Sequence, residues 1–367
     1  MGYFEDINIG PHNTLKNFIV IISKFYNVIL IGFKKNNSFK VSSFWDIKNT
    51  KIIALNNYLK GHYYFNNSVF TKALEYLKTS DYFFFNGIWY PYLPILSLVF
   101  LLFKKKYVIC PHGGLNKEEN IKFVKFFYYK FFIRFCIKNC HFLQLLSPLE
   151  LKLINENKFL KLKNFKYVIL PNTVRLEKIY LNNNFKYKNY ALSIGRLHPI
   201  KDLEFLINSW ETLNKMNKGK NFLLIIAGTG SKEYTNKLFN LIERKQIKNI
   251  KFIGEIGMEE KIEMISHAKF TTNTSHTEAL PTSILESLAL STPVLSTIKL
   301  GFHKHFIKES IIHTNKNYDD FAMKSESILK MKKTDYDNLK KKTLISFENL
   351  FSNKKITSLV KEFYDIN

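Results

Sequence analysis

Acidic side chains are scarce in this chain: 30 Asp and Glu stand against 55 Lys and Arg, a formal net charge of +25 with the 10 His neutral. Such an excess suits nucleic acid, an anionic membrane surface or a phosphorylated substrate. No motif of a nucleic-acid reader occurs, and the lysines are scattered rather than gathered in one arm. Membrane surfaces and phosphate-bearing substrates are therefore expected ahead of nucleic acid. Cysteine is scarcer still. Cys110, Cys136 and Cys140 are too few for a disulfide framework and wrongly spaced for a zinc site, so reduced thiols in a cytoplasmic setting are expected. The apolar run Leu93–Phe103 falls well short of the ~20 residues that span a bilayer. It reads as a helix packed on a sheet, closed by Lys104-Lys105-Lys106 with the charge a helix C-terminus favours. The opening MGYFEDINIG has no basic region before an apolar core, and Gly2 lacks the following Ser or Thr of a myristoylation site. The only Asp-x-Asp, Asp335-Tyr336-Asp337, lies among lysines in a helical tail, where solvated charge and no metal site are expected.

At 367 residues, 46% of them hydrophobic, the chain suits two domains, each able to bury a core. Strand and helix patterns alternate along it. An opening strand is either absent, with residues ahead of Met1 lost, or confined to Tyr3–Ile9. Gly10-Pro11-His12 forms the first loop, followed by a helix over Leu15–Phe25 and a strand over Val28–Phe33. A further strand, Tyr107–Cys110, runs into Pro111-His112-Gly113-Gly114, which puts His112 at a strand's carboxyl end, where open parallel sheets bind ligands. In Ile121–Cys140 the cations Lys130, Arg134 and Lys138 recur every four residues amid aromatics. That pattern fits an interfacial helix on an anionic bilayer and equally a helix buried in its domain. A polar, Asn- and Lys-rich stretch, Pro171 to Tyr190, is the expected crossover between domains. The strand Tyr190–Ile194 then feeds the loop Gly195–Asp202, in which Arg196 and Lys201 flank a tight turn before a helix; two cations there suit a diphosphate. The strand Phe222–Ala227 enters Gly228-Thr229-Gly230, which lacks the third glycine of a dinucleotide fingerprint.

Residues His276–Ser296, HTEALPTSILESLALSTPVLS, organise the remainder. Pro281 is expected at the first helical position, leaving the N–H groups of Thr282, Ser283 and Ile284 open as an anion site. Glu278 and Glu286 lie eight residues apart, about 10–12 Å along a helix at ~1.5 Å per residue, which is the reach of a nucleotide-sugar.

This stretch resembles the Glu-x7-Glu signature of retaining glycosyltransferase family 4. Support comes from Gly87-Ile88-Trp89, Pro111-His112-Gly113-Gly114-Leu115, Ser147-Pro148-Leu149-Glu150 and Pro171-Asn172-Thr173 in that order, and from Gly195-Arg196-Leu197 with Lys201. Two positions depart from the family pattern: Gly10-Pro11 replaces a Gly-Gly pair, and Asp202 replaces a Gly or Asn. The resemblance implies an α/β chain of the GT-B fold, two Rossmann-like domains facing each other across a cleft. It places an acceptor-binding domain in 1–173, a nucleotide-sugar domain in 174–350, and in 351–367 a helix crossing back to the first domain. The implied activity is retaining, metal-independent transfer from a nucleotide-diphosphate-sugar to a glycan or lipid-linked glycan, in lipopolysaccharide, capsule or exopolysaccharide synthesis, with no other cofactor. Arg196 and Lys201 would hold the leaving diphosphate, Glu278 the donor sugar, Glu286 the ribose, and His112 the donor sugar from the opposite domain. Gly10, Gly228, Gly230, Ile256 (against the base), Leu280, Pro281, Thr282 and Ser283 would line the donor. A nucleotide-sugar epimerase and a non-catalytic basic binding protein are the alternatives. The expected location is the cytoplasm, with the inner face of the cell membrane as a peripheral site.

Overall fold

The computed structural model describes residues 4, 10–34, 43–56, 67–116, 127–158, 160, 162, 164–176, 185–216, 222–302 and 310–365. The chain divides into two compact units, Met1–Thr173 with Asn353–Asn367, and Val174–Ser352.

In the first unit, β1 (Val28–Lys34) and β2 (Thr50–Asn56) pair in parallel. Separately, β3 (Tyr82–Asn86), β4 (Lys106–Cys110), β5 (Phe142–Leu145) and β6 (Tyr167–Ile169) form a four-stranded parallel sheet in that order. A cavity of ≈ 740 Å³ is lined by both β1 and β3 together with the helix Gly10–Ile22, mainly by apolar and aromatic side chains and by no Lys or Arg. Gly10 therefore opens a helix, five residues earlier than the apolar periodicity predicts. The expected opening strand lies outside the described residues apart from Phe4, whose N–H donates to the Phe33 carbonyl of β1 at 2.9 Å. The final helix, Asn353–Phe363, belongs to this unit. Ile356, Val360 and Tyr364 recur every four residues and bury against Ile21, Val108, Phe142 and Leu170. Burying each such apolar side chain contributes roughly 1.5–3 kcal/mol. Tyr364 also donates its hydroxyl to Gln144 Oε1 at 2.9 Å, which satisfies both polar groups in the core.

The second unit holds one six-stranded parallel sheet, ordered β12-β11-β10-β7-β8-β9. Its strands are β7 (Tyr190–Ile194), β8 (Leu223–Ala227), β9 (Ile250–Gly254), β10 (Phe270–Asn273), β11 (Val294–Ser296) and β12 (Ile311–His313). The central strands read as continuous apolar runs because helices cover both faces, and Tyr190, Ala191, Leu192, Leu224 and Ile225 are fully buried. The helix Leu203–Met216 buries Leu203, Leu206, Ile207, Trp210 and Leu213 at helical spacing. From β7 the chain first builds outward through β8 and β9, then returns to add β10, β11 and β12 on the other side. The order thus reverses between β7 and β10, and ligands of open parallel sheets bind at the carboxyl ends beside such a reversal.

Candidate active site

Two loops leave the carboxyl ends of β7 and β10, and hydrogen bonds lace them together. The Thr274 hydroxyl donates to the Lys201 carbonyl at 2.8 Å, and the His276 N–H donates to the Ile200 carbonyl at 2.8 Å. Within the first loop, His198 caps the short turn Pro199–Lys201 by accepting the Ile200 N–H on Nδ1 at 3.2 Å. Asp202 follows with a left-handed backbone, φ +48°. Gly and Asn adopt that conformation most readily, and Asp tolerates it because its short side chain bonds locally. Here Oδ1 accepts the Phe205 N–H at 3.3 Å and Oδ2 meets Lys316 Nζ at 2.6 Å. The Asp at this position is thus held by a backbone hydrogen bond and an ion pair.

This lacing brings Lys201 onto Glu278: the ammonium pairs with Oε1, which also accepts the Ser275 hydroxyl at 2.9 Å. Arg196, exposed, lines the same pocket and makes no ion pair among the described residues. Deeper in that pocket, Thr272 Oγ1 and Asn273 Oδ1 are buried without a hydrogen-bond partner among the described residues.

Glu278 lies in the loop ahead of the helix Thr282–Ala289, so the helical-rise estimate of its distance from Glu286 does not apply. Pro281 is the residue capping that helix rather than its first turn, with φ −65° and ψ 124°. The Ile284 N–H is also not open: it donates to the Pro281 carbonyl at 3.1 Å, leaving Thr282 and Ser283 as the donors at the helix start. Leu280 and Pro281 are buried. Glu286, one helical turn further on, is 7% exposed and pairs with Lys261 Nζ at 2.6 Å. Burial raises its pKa, and the Lys261 charge works against that rise. Lys261, on the helix Met258–His267, has no counterpart in the sequence reading, because nothing in the order of residues shows that it faces a carboxylate 25 positions later.

Gly228 and Gly230 are required by close packing of loops. A Cβ on Gly228, whose φ is +138°, would stand 1.9 Å from the Gly195 carbonyl oxygen, and one on Gly230 would stand 2.0 Å from that of Leu197. The Leu197 N–H donates to the Thr229 carbonyl at 2.8 Å, which fixes this approach. Gly228→Ala is therefore expected to lower the melting temperature by several degrees more than Gly254→Ala. Gly254 also has positive φ, +75°, but a Cβ there meets nothing within 4 Å, so only the ~1–2 kcal/mol of left-handed strain applies. Equal losses in calorimetry would show that the contact with Gly195 does not matter. Ile256 is half-buried in the loop after β9, packed on the core of Tyr190, Leu192 and Ile225.

The remaining sequence-selected residues, His112 and Gly10, lie in the first unit. His112 follows β4 with φ +49°, and its Nε2 meets Asn86 Oδ1 at 2.5 Å. Although its ring is partly open, desolvation pulls the imidazole down to about 4, so it is neutral at physiological pH. The loop is held by Glu150, whose fully buried carboxylate accepts the Gly113 N–H at 2.6 Å and the Leu146 N–H at 2.7 Å. Burial pushes Glu150 up to about 7. The Ser-Pro-Leu-Glu motif thus has a positioning role: Ser147 caps the helix Pro148–Asn155 and Glu150 reaches back to the His112 loop. Asp335 and Asp337 are exposed on the helix Lys333–Leu350, and among the described residues no three His, Cys, Asp or Glu form a metal-binding group.

Residues 177–343 match the family described as glycosyl transferases group 1. An uncharacterized glycosyltransferase of Methanocaldococcus jannaschii is 33% identical over 159 residues, 40% of this chain and 37% of that protein. A probable sucrose-phosphate synthase of Thermosipho melanesiensis is 26% identical over 208 residues, 55% of this chain and 47% of that one. The chain thus spans less than half the length of these curated relatives. Among solved structures, Anabaena HepE in complex with UDP-glucose superposes with a TM-score of 0.72 at 13% identity, covering 97% of this chain and 96% of that one. The sucrose-phosphate synthase of Thermosynechococcus elongatus gives 0.69 at 14% identity, over 95% and 91%. Such identities speak for the fold: this is an α/β chain of the GT-B fold, and its residues 177–343 match the family described as glycosyl transferases group 1.

Proposed function

We propose that the protein is a retaining glycosyltransferase that moves a sugar from a nucleotide-diphosphate-sugar to a glycan or lipid-linked glycan. The observation that carries this reading is that Arg196 and the Lys201–Glu278 pair lie on the laced loops beside the sheet's order reversal, with a helix starting at Thr282 and Ser283 just beyond Glu278. As the bond from sugar to diphosphate breaks and one to an acceptor hydroxyl forms, negative charge grows on the diphosphate. Two cations on one loop, with two backbone N–H groups at the start of the helix that follows Glu278, are suited to stabilise it. Glu278 is assigned to the donor sugar, Glu286 to the ribose, Ile256 to the base and His112 to the reacting sugar. Relatives in complex with UDP-glucose support this donor class. We further assign it to the inner face of a membrane, in the synthesis of a surface polysaccharide.

Screening nucleotide-sugars by thermal shift identifies the donor, since a ligand that binds only the folded state raises the melting temperature. With that donor and no acceptor, slow hydrolysis with retained anomeric configuration is expected, unchanged by chelator, because the cations named above do the work assigned elsewhere to a metal. Inversion, epimerised nucleotide-sugar, or binding without turnover would each replace this reading. An absolute Mn²⁺ or Mg²⁺ requirement would return attention to Asp335 and Asp337.

A further inference from the structure

The helix Leu93–Leu102, LPILSLVFLL, buries Leu93, Leu96, Ser97 and Phe100, yet its opposite face is equally apolar. Ile95 is 45% exposed, Leu98 47% and Leu102 71%, and Phe103 follows at 60%. The helix Arg134–Asn139 packs beside it. It is entered through a π-helical segment, Tyr128–Ile133, that exposes Phe131 at 55% and Phe132 at 52%. The wider π turn breaks the regular four-residue ridge expected of Lys130, Arg134 and Lys138, whose N-terminal continuation lies outside the described residues. Half of the sixteen large apolar side chains that are exposed among the described residues fall within 95–103 and 127–132, so they are concentrated there and not scattered in the usual way. Its surroundings are cationic. Lys104, Lys130, Arg134 and Lys138 lie on the same two elements, and residues 93–116 and 127–140 contain no Asp or Glu. Glu118 and Glu119 lie between them in sequence, outside the described residues.

We propose that this face is a membrane-docking surface, which inserts Leu98, Leu102, Phe103, Phe131 and Phe132 among lipid chains while Arg134, Lys130 and Lys138 meet anionic headgroups. The inference rests on the membrane location assigned above and names the surface responsible. Large apolar side chains ringed by Lys and Arg fit the boundary between headgroups and acyl chains. A second copy of this chain is disfavoured as the occupant, because it would bring a like-charged patch against this one in a protein of net charge +25.

Sedimentation with phosphatidylcholine vesicles, with and without phosphatidylglycerol, tests it. The full chain is expected to bind the anionic vesicles and to keep a bound fraction in about 1 M salt, where the screening length is only ~3 Å. Leu98→Ser with Phe131→Ser should abolish that salt-resistant fraction and lower partitioning at least ~10-fold, as lost apolar insertion predicts. Changing Lys130, Arg134 and Lys138 to Gln should remove the salt-sensitive part. Leu102→Asp, at the most exposed position, serves if the double variant does not fold. Donor-induced thermal shifts should be unaltered throughout, so a missing shift in the parent counts against the glycosyltransferase reading and not against docking. Equal vesicle binding by parent and apolar variants would overturn the proposal, as would a parent dimer that the same substitutions dissociate.

Discussion

Arg196→Ala and Lys201→Ala are each expected to lower kcat by about 10²–10³, ~2.7–4 kcal/mol of transition-state stabilisation, the range for removing one donor aimed at developing charge. In the proposed mechanism both charges serve the departing diphosphate, an interaction stronger in the transition state than in the ground state, so kcat should fall and not only the apparent affinity. The two variants differ in what they leave behind. Arg196 is exposed and makes no ion pair among the described residues, so its removal should leave the melting temperature unchanged. Lys201→Ala strips Glu278 of its ammonium partner and leaves it, among the described residues, the Ser275 hydroxyl. Part of that loss therefore comes from a disturbed Glu278. Lys201→Ala combined with Glu278→Ala separates the parts, because residues in contact do not add: the double variant should lose less than the sum of the two singles. Steady-state kinetics on folded variants decide the matter. Near-parental rates for both single substitutions would remove the phosphate-site assignment.

What the sequence made legible was local. Apolar runs of four to six residues separated by helical periodicity announced a buried parallel sheet, and the loops that end them, Gly195–Asp202 and Thr274–Pro281, stand where strand ends place them. The sequence could not show pairing across elements. Lys201 meets Glu278 over 77 positions, Lys261 meets Glu286 over 25, and Lys316 meets Asp202 from still further away. In each case the partners lie on different elements, and no local pattern encodes that the fold brings them together. The eight-residue spacing of the glutamates misled for a related reason. Pro281 ends a loop, so the first half of the interval has no helical rise. Gly228-Thr229-Gly230 looked like a dinucleotide fingerprint lacking its third glycine, and the sequence could not show that both glycines also let the chain at Gly195–Leu197 pass.

Glu286→Ala is expected to raise the KM for donor by about 10–100-fold with little change in kcat, the loss of charge-assisted hydrogen bonds worth ~1.5–3 kcal/mol in total. Glu278→Ala is expected to lower kcat as well. The split follows from the assigned contacts: ribose is held equally in ground and transition states, whereas the reacting sugar changes charge and shape. The structure adds a complication that the test must meet. Glu286 is 7% exposed and its only ion-pair partner among the described residues is Lys261, so truncating it leaves that ammonium, partly buried, without this counter-charge. That defect alone costs stability, which can pass for weakened binding if the variant partly unfolds. Lys261→Met provides the control, since it removes the ammonium and leaves the carboxylate assigned to ribose in place. If Glu286 binds donor directly, Lys261→Met with Glu286→Ala should recover melting temperature without recovering KM. Recovery of KM in that double variant would mean that Glu286 acts only by holding Lys261. A fall in kcat alone in the Glu286 variant would exchange the roles assigned to the two glutamates.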